Sequence, residues 1–174
     1  MLEVRDAGAV GAGGASVSLV LLEADPLGAD ALALLRLAAA EARALYPEAF
    51  APGAPEPGNR PTPPRGAYFV AHDGGRAVGM AAHQPLDADT SELRRLYVHP
   101  EARRLGVARA LLAAVEAHAR GQGFVCLRLE TGHRQQPAMR LYEAAGWVPI
   151  APFGPYVGDP TSVCYEKHLV PEHG

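Results

Sequence analysis

Hydrophobic positions change their period along the chain, and the changes mark the elements. After a Gly/Ala-rich opening, expected to be a loose turn, β-branched and leucine residues cluster without helical spacing, which predicts a strand over Ser16–Leu22. From Leu27 to Tyr46 the period becomes helical, with Leu35, Ala38, Ala39, Ala42, Leu45 and Tyr46 recurring at that spacing. The alanine-rich composition favours the same conformation, and Pro47 closes the helix. Strand-like runs follow in AYFVAH from Ala67, RAVGMAAHQPL from Arg76 and SELRRLYV from Ser91. They predict an antiparallel meander with DGG as its first turn and DADT in its second connection. Val107, Ala110, Leu111, Ala114 and Val115 then share one face of a helix over Gly106–Gly121, stopped by GQG. The rest reads as a strand in FVCLRLE, a helix over Gln136–Ala145 with Pro137 in its first turn, and closing strands in WVPI and TSVCYEKHL. This order makes a mixed α/β plan, and the strands on either side of helix 106–121 should run parallel.

One stretch has no period. PEAFAPGAPEPGNRPTPP, residues 47–64, holds seven of the sixteen prolines in eighteen residues. That density excludes regular structure and predicts a surface loop, either an inert connection or part of a binding site.

Composition narrows the function classes. The 174 residues, 48% hydrophobic and 20% charged, fit a single domain over 1–174. A net charge of -3 offers no global basic field for nucleic acid or an anionic membrane. No apolar run reaches the roughly 18 to 20 residues that span a bilayer, and MLEVRDAGAV carries acidic residues where a signal peptide is basic, so a cytoplasmic location is expected. Cys126 and Cys164 lie in apolar runs without metal-ligand spacing and are expected to be reduced core thiols; His72, His83 and His133 are scattered, and no metal is expected.

The chemistry concentrates in LYVHPEARRLGVARALL, Leu96 to Leu112. Arg103 and Arg104 at a helix start oppose the macrodipole, and an anion would remove that conflict. Unpaired N–H groups of residues 104–108 at the helix mouth, with Gly106 allowing close approach and two guanidinium groups adjacent, make a phosphate site. The stretch is neither a Walker loop nor a dinucleotide fingerprint.

Arg103-Arg104-Leu105-Gly106-Val107-Ala108 resembles the acetyl-CoA-binding pattern Q/R-x-x-G-x-G/A of the GNAT family of N-acyltransferases. Its setting, with LRRLYVHPEAR before it and LRLETGHRQQPAMRLYEAAGW after it, extends the resemblance over about 67–169. One departure is that many members have glycine where Arg104 stands. The ending APFGPYVGDPTSVCYEKHL is similar to the PFGxYxxxPxSxCFEK ending of a bacterial GNAT subgroup.

The resemblance implies an acyl-CoA N-acyltransferase fold: a mixed, mostly antiparallel sheet with splayed central parallel strands, flanked by helices. It implies acetyl-CoA as co-substrate, its pyrophosphate on Arg103 to Ala108 with Arg109 following, and its pantetheine arm along Leu96, Tyr97 and Val98. It also implies direct acetyl transfer to an amine, with Tyr142 placed to protonate the departing thiolate. An alkylammonium near pKa about 10.4 must lose a proton before it attacks, and Glu92 and Glu130 are the candidate bases. Each has another reading, Glu92 as a solvated strand start, Glu130 as an arginine partner and Tyr142 as packing beside Leu141. Arg94 and Arg95 either bind an acceptor carboxylate or pair with Glu92, Glu130 or Glu166. Phe153, Pro155 and Tyr156 form a stiff apolar loop that either covers the acceptor or packs on the core. The expected acceptor is a small-molecule primary amine; a protein amine and a non-catalytic acyl-CoA sensor are the alternatives. Family members often pair, which leaves homodimer and monomer both open.

Overall fold

The computed structural model describes residues 18–171. The expected opening turn and Ser16 and Val17 lie outside the described residues. The strands are β1 (Leu19–Glu23), β2 (Ala67–Asp73), β3 (Arg76–Pro85), β4 (Thr90–Val98), β5 (Cys126–Gly132), β6 (Val148–Ile150) and β7 (Ser162–His168). The helices are α1 (Ala29–Leu45), α2 (Val107–Gly121) and α3 (Gln136–Ala144). The strands form one seven-stranded sheet in the order β1-β2-β3-β4-β5-β7-β6. The sheet is mostly antiparallel, while β4 and β5, the strands flanking α2, are parallel as the sequence predicts. Their ladder covers only Thr90–Glu92 against Cys126–Arg128, although β4 continues to Val98 and β5 to Gly132.

Apart from the start of β1, element ends differ from the sequence expectation by at most two residues, and three of the differences have a local reason. α1 starts at Ala29 because Asp25 first turns the chain, its carboxylate accepting from the Leu27 N–H at 2.9 Å and its carbonyl from Gly28 at 2.9 Å. α2 starts at Val107 because Gly106 has φ +81°, outside the helical region. β5 starts at Cys126 because Phe124 is buried and still bonded to the carbonyl of Ala119. The 47–64 segment is not wholly irregular, which corrects that expectation: Pro47–Ala49 is a 3-10 turn. Two more such turns, Pro100–Ala102 and Gly154–Tyr156, were not foreseen; all three carry proline in the first two positions, where its missing N–H costs nothing. No helix among the described residues is long and apolar enough to cross a membrane.

The chain divides into two compact units. The first takes residues up to Thr62, Tyr68–Ala81 and Arg95–Ala114; the second takes Pro63–Ala67, Ala82–Arg94 and residues from Val115 on. β2, β3, β4 and α2 each contribute residues to both. The first unit is centred on Leu34, Leu35, Val70, Met80, Val107 and Leu111, and the second on Phe124, Leu127, Leu129, Trp147 and Tyr165, all buried.

Candidate active site

In the first unit, a single glycine sets how closely α2 packs on β3. A Cβ on Gly79 of β3 would lie 3.0 Å from both Val107 and Leu111 and 3.1 Å from the carbonyl oxygen of Tyr97. Only a residue without a side chain lets the first turn of α2 sit this close to β3 and the end of β4. Val107 is buried there, while Arg103, Arg104, Leu105, Gly106 and Arg109 stay exposed and Ala108 is half-buried. Arg104 (φ +64°) and Gly106 (φ +81°) both adopt left-handed backbone. Among the described residues no acceptor meets the N–H groups of Arg104 to Ala108. This is the arrangement of amides that holds an anion. The φ at this position suits glycine, and the strain falls on Arg104 here.

Arg103 has other partners. Its Nε donates to the Val98 carbonyl at 3.0 Å, and its terminal nitrogen donates to both oxygens of Glu41 on α1, at 2.9 and 2.7 Å. The guanidinium also stands 5.8 Å from the ring centroid of Tyr97. Burial, with Glu41 nearby, raises the Tyr97 pKa.

Arg95 departs from the expected pleat. Its φ is +62° inside β4, a conformation that costs an L-residue about 1–2 kcal/mol. Its Nε donates to Asn59 Oδ1 at 3.0 Å and its terminal nitrogen to the Gly58 carbonyl at 3.1 Å. The Asn59 amide in turn donates to the Pro26 carbonyl at 2.9 Å and lies 3.2 Å from the Tyr68 hydroxyl. The proline-rich segment is thus fastened to β4 by a polar knot around Asn59.

In the second unit the carboxylates gather. Glu92 on β4 is 4% exposed, which rules out the solvated strand start. The Tyr156 hydroxyl donates to its Oε1 at 2.7 Å, and Arg94, on the same side of β4 two residues along, approaches that oxygen to 3.8 Å. Glu130 on β5 accepts from Ser162 Oγ at 3.1 Å. Burial raises its pKa above the ordinary carboxylate range, with Asp159 and Glu92 adding negative field, against the lowering effects of Ser162 and Arg94. Glu166 pairs with Arg128, not with Arg94 or Arg95, at 3.3 Å.

Tyr142 on α3 is buried between Trp147 and Tyr165, with ring centroids 6.0 and 5.8 Å away. Its hydroxyl makes no hydrogen bond among the described residues. Burial, then the field of Glu130, raises its pKa, and burial and Glu92 do the same for Tyr156. Both phenols are held protonated, as donors. Tyr165 donates to Glu143 at 2.9 Å, its pKa pushed up to about 12 by burial and that carboxylate.

The structure therefore brings Glu92, Arg94, Glu130, Tyr142 and Tyr156 into one electrostatic neighbourhood, and sends Arg95 to the proline-rich segment. Sequence reasoning missed Ser162 and Asp159, which tune Glu130; the only signal was their place in DPTS at the entry to the last strand. It also missed Glu41, Asn59 and Gly79, whose partners are remote in sequence.

The acetyltransferase (GNAT) family profile matches residues 33–147. The chain is 39% identical over 106 residues to an IAA acetyltransferase from Azospirillum brasilense, covering 59% of this chain and 67% of that protein. Among solved structures, a Klebsiella pneumoniae protein described as an acyl-CoA N-acyltransferase superposes with a TM-score of 0.74 at 30% identity, covering 88% of this chain and 99% of that one. A GNAT acetyltransferase from Elizabethkingia anophelis with acetyl-CoA bound shares the fold, at a TM-score of 0.62 and 16% identity over 87% of this chain and 98% of that one.

Proposed function

The chain belongs to the acetyltransferase (GNAT) family and is an acetyl-CoA-dependent acyltransferase, and from that premise we propose that it transfers acetyl to a primary amine of a small molecule by direct attack in a ternary complex. The observation that carries the reading is the pair of carboxylates, buried Glu92 held by Tyr156 and half-buried Glu130 with its raised pKa. An amine arrives mainly as ammonium, and two carboxylates with one partly exposed arginine favour that cation. Glu130 takes its proton: a base whose pKa is lifted toward the working pH is a better match for an amine than an ordinary carboxylate. Tyr156 keeps Glu92 oriented. The free amine then forms the C–N bond at the thioester carbon, and the C–S bond breaks as thiolate leaves. Tyr142 gives that sulfur a hydrogen bond and its proton, and is reprotonated from the nitrogen side through solvent, so protons balance.

The amides of Arg104 to Ala108 hold the pyrophosphate, with Arg104 and Arg109 as exposed cations beside it and Arg103 released from Glu41 to join them. Leu96, Tyr97 and Val98 offer backbone to the pantetheine arm. The name of the Azospirillum relative fits a small-molecule acceptor, and the PFGxYxxxPxSxC-like ending, which supplies Tyr156 and Ser162, fits acceptor-side selection. The test is acetyl-CoA turnover across a panel of small primary amines, followed as released thiol. Turnover with at least one amine, reduced at least tenfold by Tyr142→Phe at unchanged KM for acetyl-CoA, is expected. Binding of acetyl-CoA without transfer to any amine overturns the proposal in favour of a sensor.

A further inference from the structure

Away from the carboxylate cluster, strand register assembles a group of side chains that linear spacing does not reveal. β5 and β7 pair antiparallel with Cys126 opposite His168 and Arg128 opposite Glu166. Directly opposed residues share a face, and so do residues two apart on one strand, so Cys126, His168 and Glu166 all project from the same side of the ladder. Their ligand atoms, the thiol sulfur, an imidazole nitrogen and a carboxylate oxygen, all lie within 4.8 Å of one another. The Glu166 carboxylate stands between the other two, with one oxygen 3.4 Å from His168 Nε2 and the other 4.0 Å from Cys126 Sγ.

We propose that Cys126, Glu166 and His168 form a binding site for a zinc-class divalent cation. The donor set is one soft sulfur, one imidazole and one carboxylate, the mixture that suits zinc and not magnesium or calcium. Zinc bonds of about 2.3 Å to sulfur and about 2.0–2.2 Å to nitrogen and oxygen bring tetrahedral ligand atoms to about 3.3–3.8 Å from one another, so small side-chain rotations close the site. Two ligands two residues apart on one strand and a third on its neighbour fix three corners on one face, and water completes the fourth. His168, with its side chain 75% exposed, is the entry side, while Cys126 is buried behind it.

Charge balances when the metal binds. Cys126 gives up its proton, and thiolate and carboxylate together neutralise a divalent ion. Burial and Glu166 raise the Cys126 pKa, so the metal has to displace that proton. Arg128 opposes binding, because it sits on the same face with Nε 3.3 Å from Glu166. In that same position its guanidinium lies 5.6 Å from the Phe153 ring centroid.

The full chain, stripped with chelator, should take up one equivalent of Zn2+ in equilibrium dialysis. Co2+ should give thiolate-to-cobalt charge-transfer absorption that Cys126→Ser abolishes. His168→Ala, at an exposed position that leaves the fold intact, should weaken zinc binding at least tenfold, and Arg128→Gln should tighten it. No saturable equivalent, unchanged affinity in His168→Ala, or cobalt binding without the thiolate band each overturns the proposal.

Discussion

The two parts of this molecule to which the proposed function assigns chemistry are built from opposite materials. In the first unit, the proposed anion loop from Arg103 to Ala108 rests on backbone: exposed from Arg103 to Gly106, left-handed at Arg104 and Gly106, with amides from Arg104 to Ala108 that no acceptor among the described residues meets. In the second, the proposed cluster around buried Glu92 and half-buried Glu130 rests on side chains, linked by Tyr156 and Ser162. A backbone site tolerates changes of side chain and fails when a dihedral is forbidden. A side-chain site tolerates backbone strain elsewhere and fails when one functional atom is replaced.

The largest expected effect comes from one atom in the second region. Glu130→Gln keeps size and the Ser162 contact but removes the proposed base, so kcat should fall by about 10²–10⁴, with KM for acetyl-CoA unchanged. The pH dependence gives the sign. Activity in the parent rises as Glu130 loses its proton, so the acid limb lies above the ordinary carboxylate pKa, because the native environment raises it. Glu130→Gln should erase that limb along with the rate. A limb that persists unchanged would assign the base to another group.

Burial makes the second unit sensitive to acid as well. His83 on β3 is 2% exposed, with Nδ1 2.8 Å from Ser91 Oγ and Nε2 2.8 Å from His118 Nδ1. Burial, with the neighbouring His118, pulls its pKa down to about 4. The unfolded chain, with histidine near 6.5, binds that proton first, so the stability is fully present above pH about 6.5 and is lost as pH falls toward about 4. The full span corresponds to about 3 kcal/mol. Denaturant unfolding at pH 7 and pH 4.5 should show most of that loss, and His83→Gln should flatten it. Equal slopes in both proteins would place the acid sensitivity elsewhere.

The loop should respond to geometry instead. A Cβ at Gly106 meets nothing within 4 Å, so Gly106→Ala introduces only the strain of φ +81°, about 1–2 kcal/mol. Relaxing that strain turns the amides away, and KM for acetyl-CoA should rise up to about tenfold while kcat holds. A fall in kcat at constant KM would show that the glycine serves something other than anion binding.

The same contrast explains what was legible. The loop is local: its glycine, its arginines and the strand and helix around it lie within LYVHPEARRLGVARALL, so the sequence locates it and even marks Arg104 as the odd residue. Most strands and all three helices are legible for the same reason, since period 2 and period 3.6 are local signals. The carboxylate cluster was legible as a set of residue types on the right elements, not as a network. Tyr156 to Glu92 and Ser162 to Glu130 span 64 and 32 residues, distances set by sheet register. The left-handed turn at Arg95 was not legible, because arginine in a strand-like run carries no signal for positive φ. That turn and the anchor at Asn59 separate Arg95 from Arg94, which alternation alone would have left as equivalent candidates on opposite faces.

The smallest change draws the finest distinction, at Arg104. Replacing it by glycine relieves a left-handed L-residue, about 1–2 kcal/mol, and gives back about 0.4–1 kcal/mol through a freer unfolded chain, so stability should move by about 0–1.6 kcal/mol in the stabilising direction. It also removes a cation from the mouth of α2 while leaving every amide in place. If backbone holds the pyrophosphate and the guanidinium only assists, Arg104→Gly raises KM for acetyl-CoA a few-fold, and that excess shrinks as salt is added, because an exposed charge is screened. A rise of a hundredfold that survives high salt would mean the arginine, and not the amides, is the anchor, and the division between backbone site and side-chain site would no longer hold.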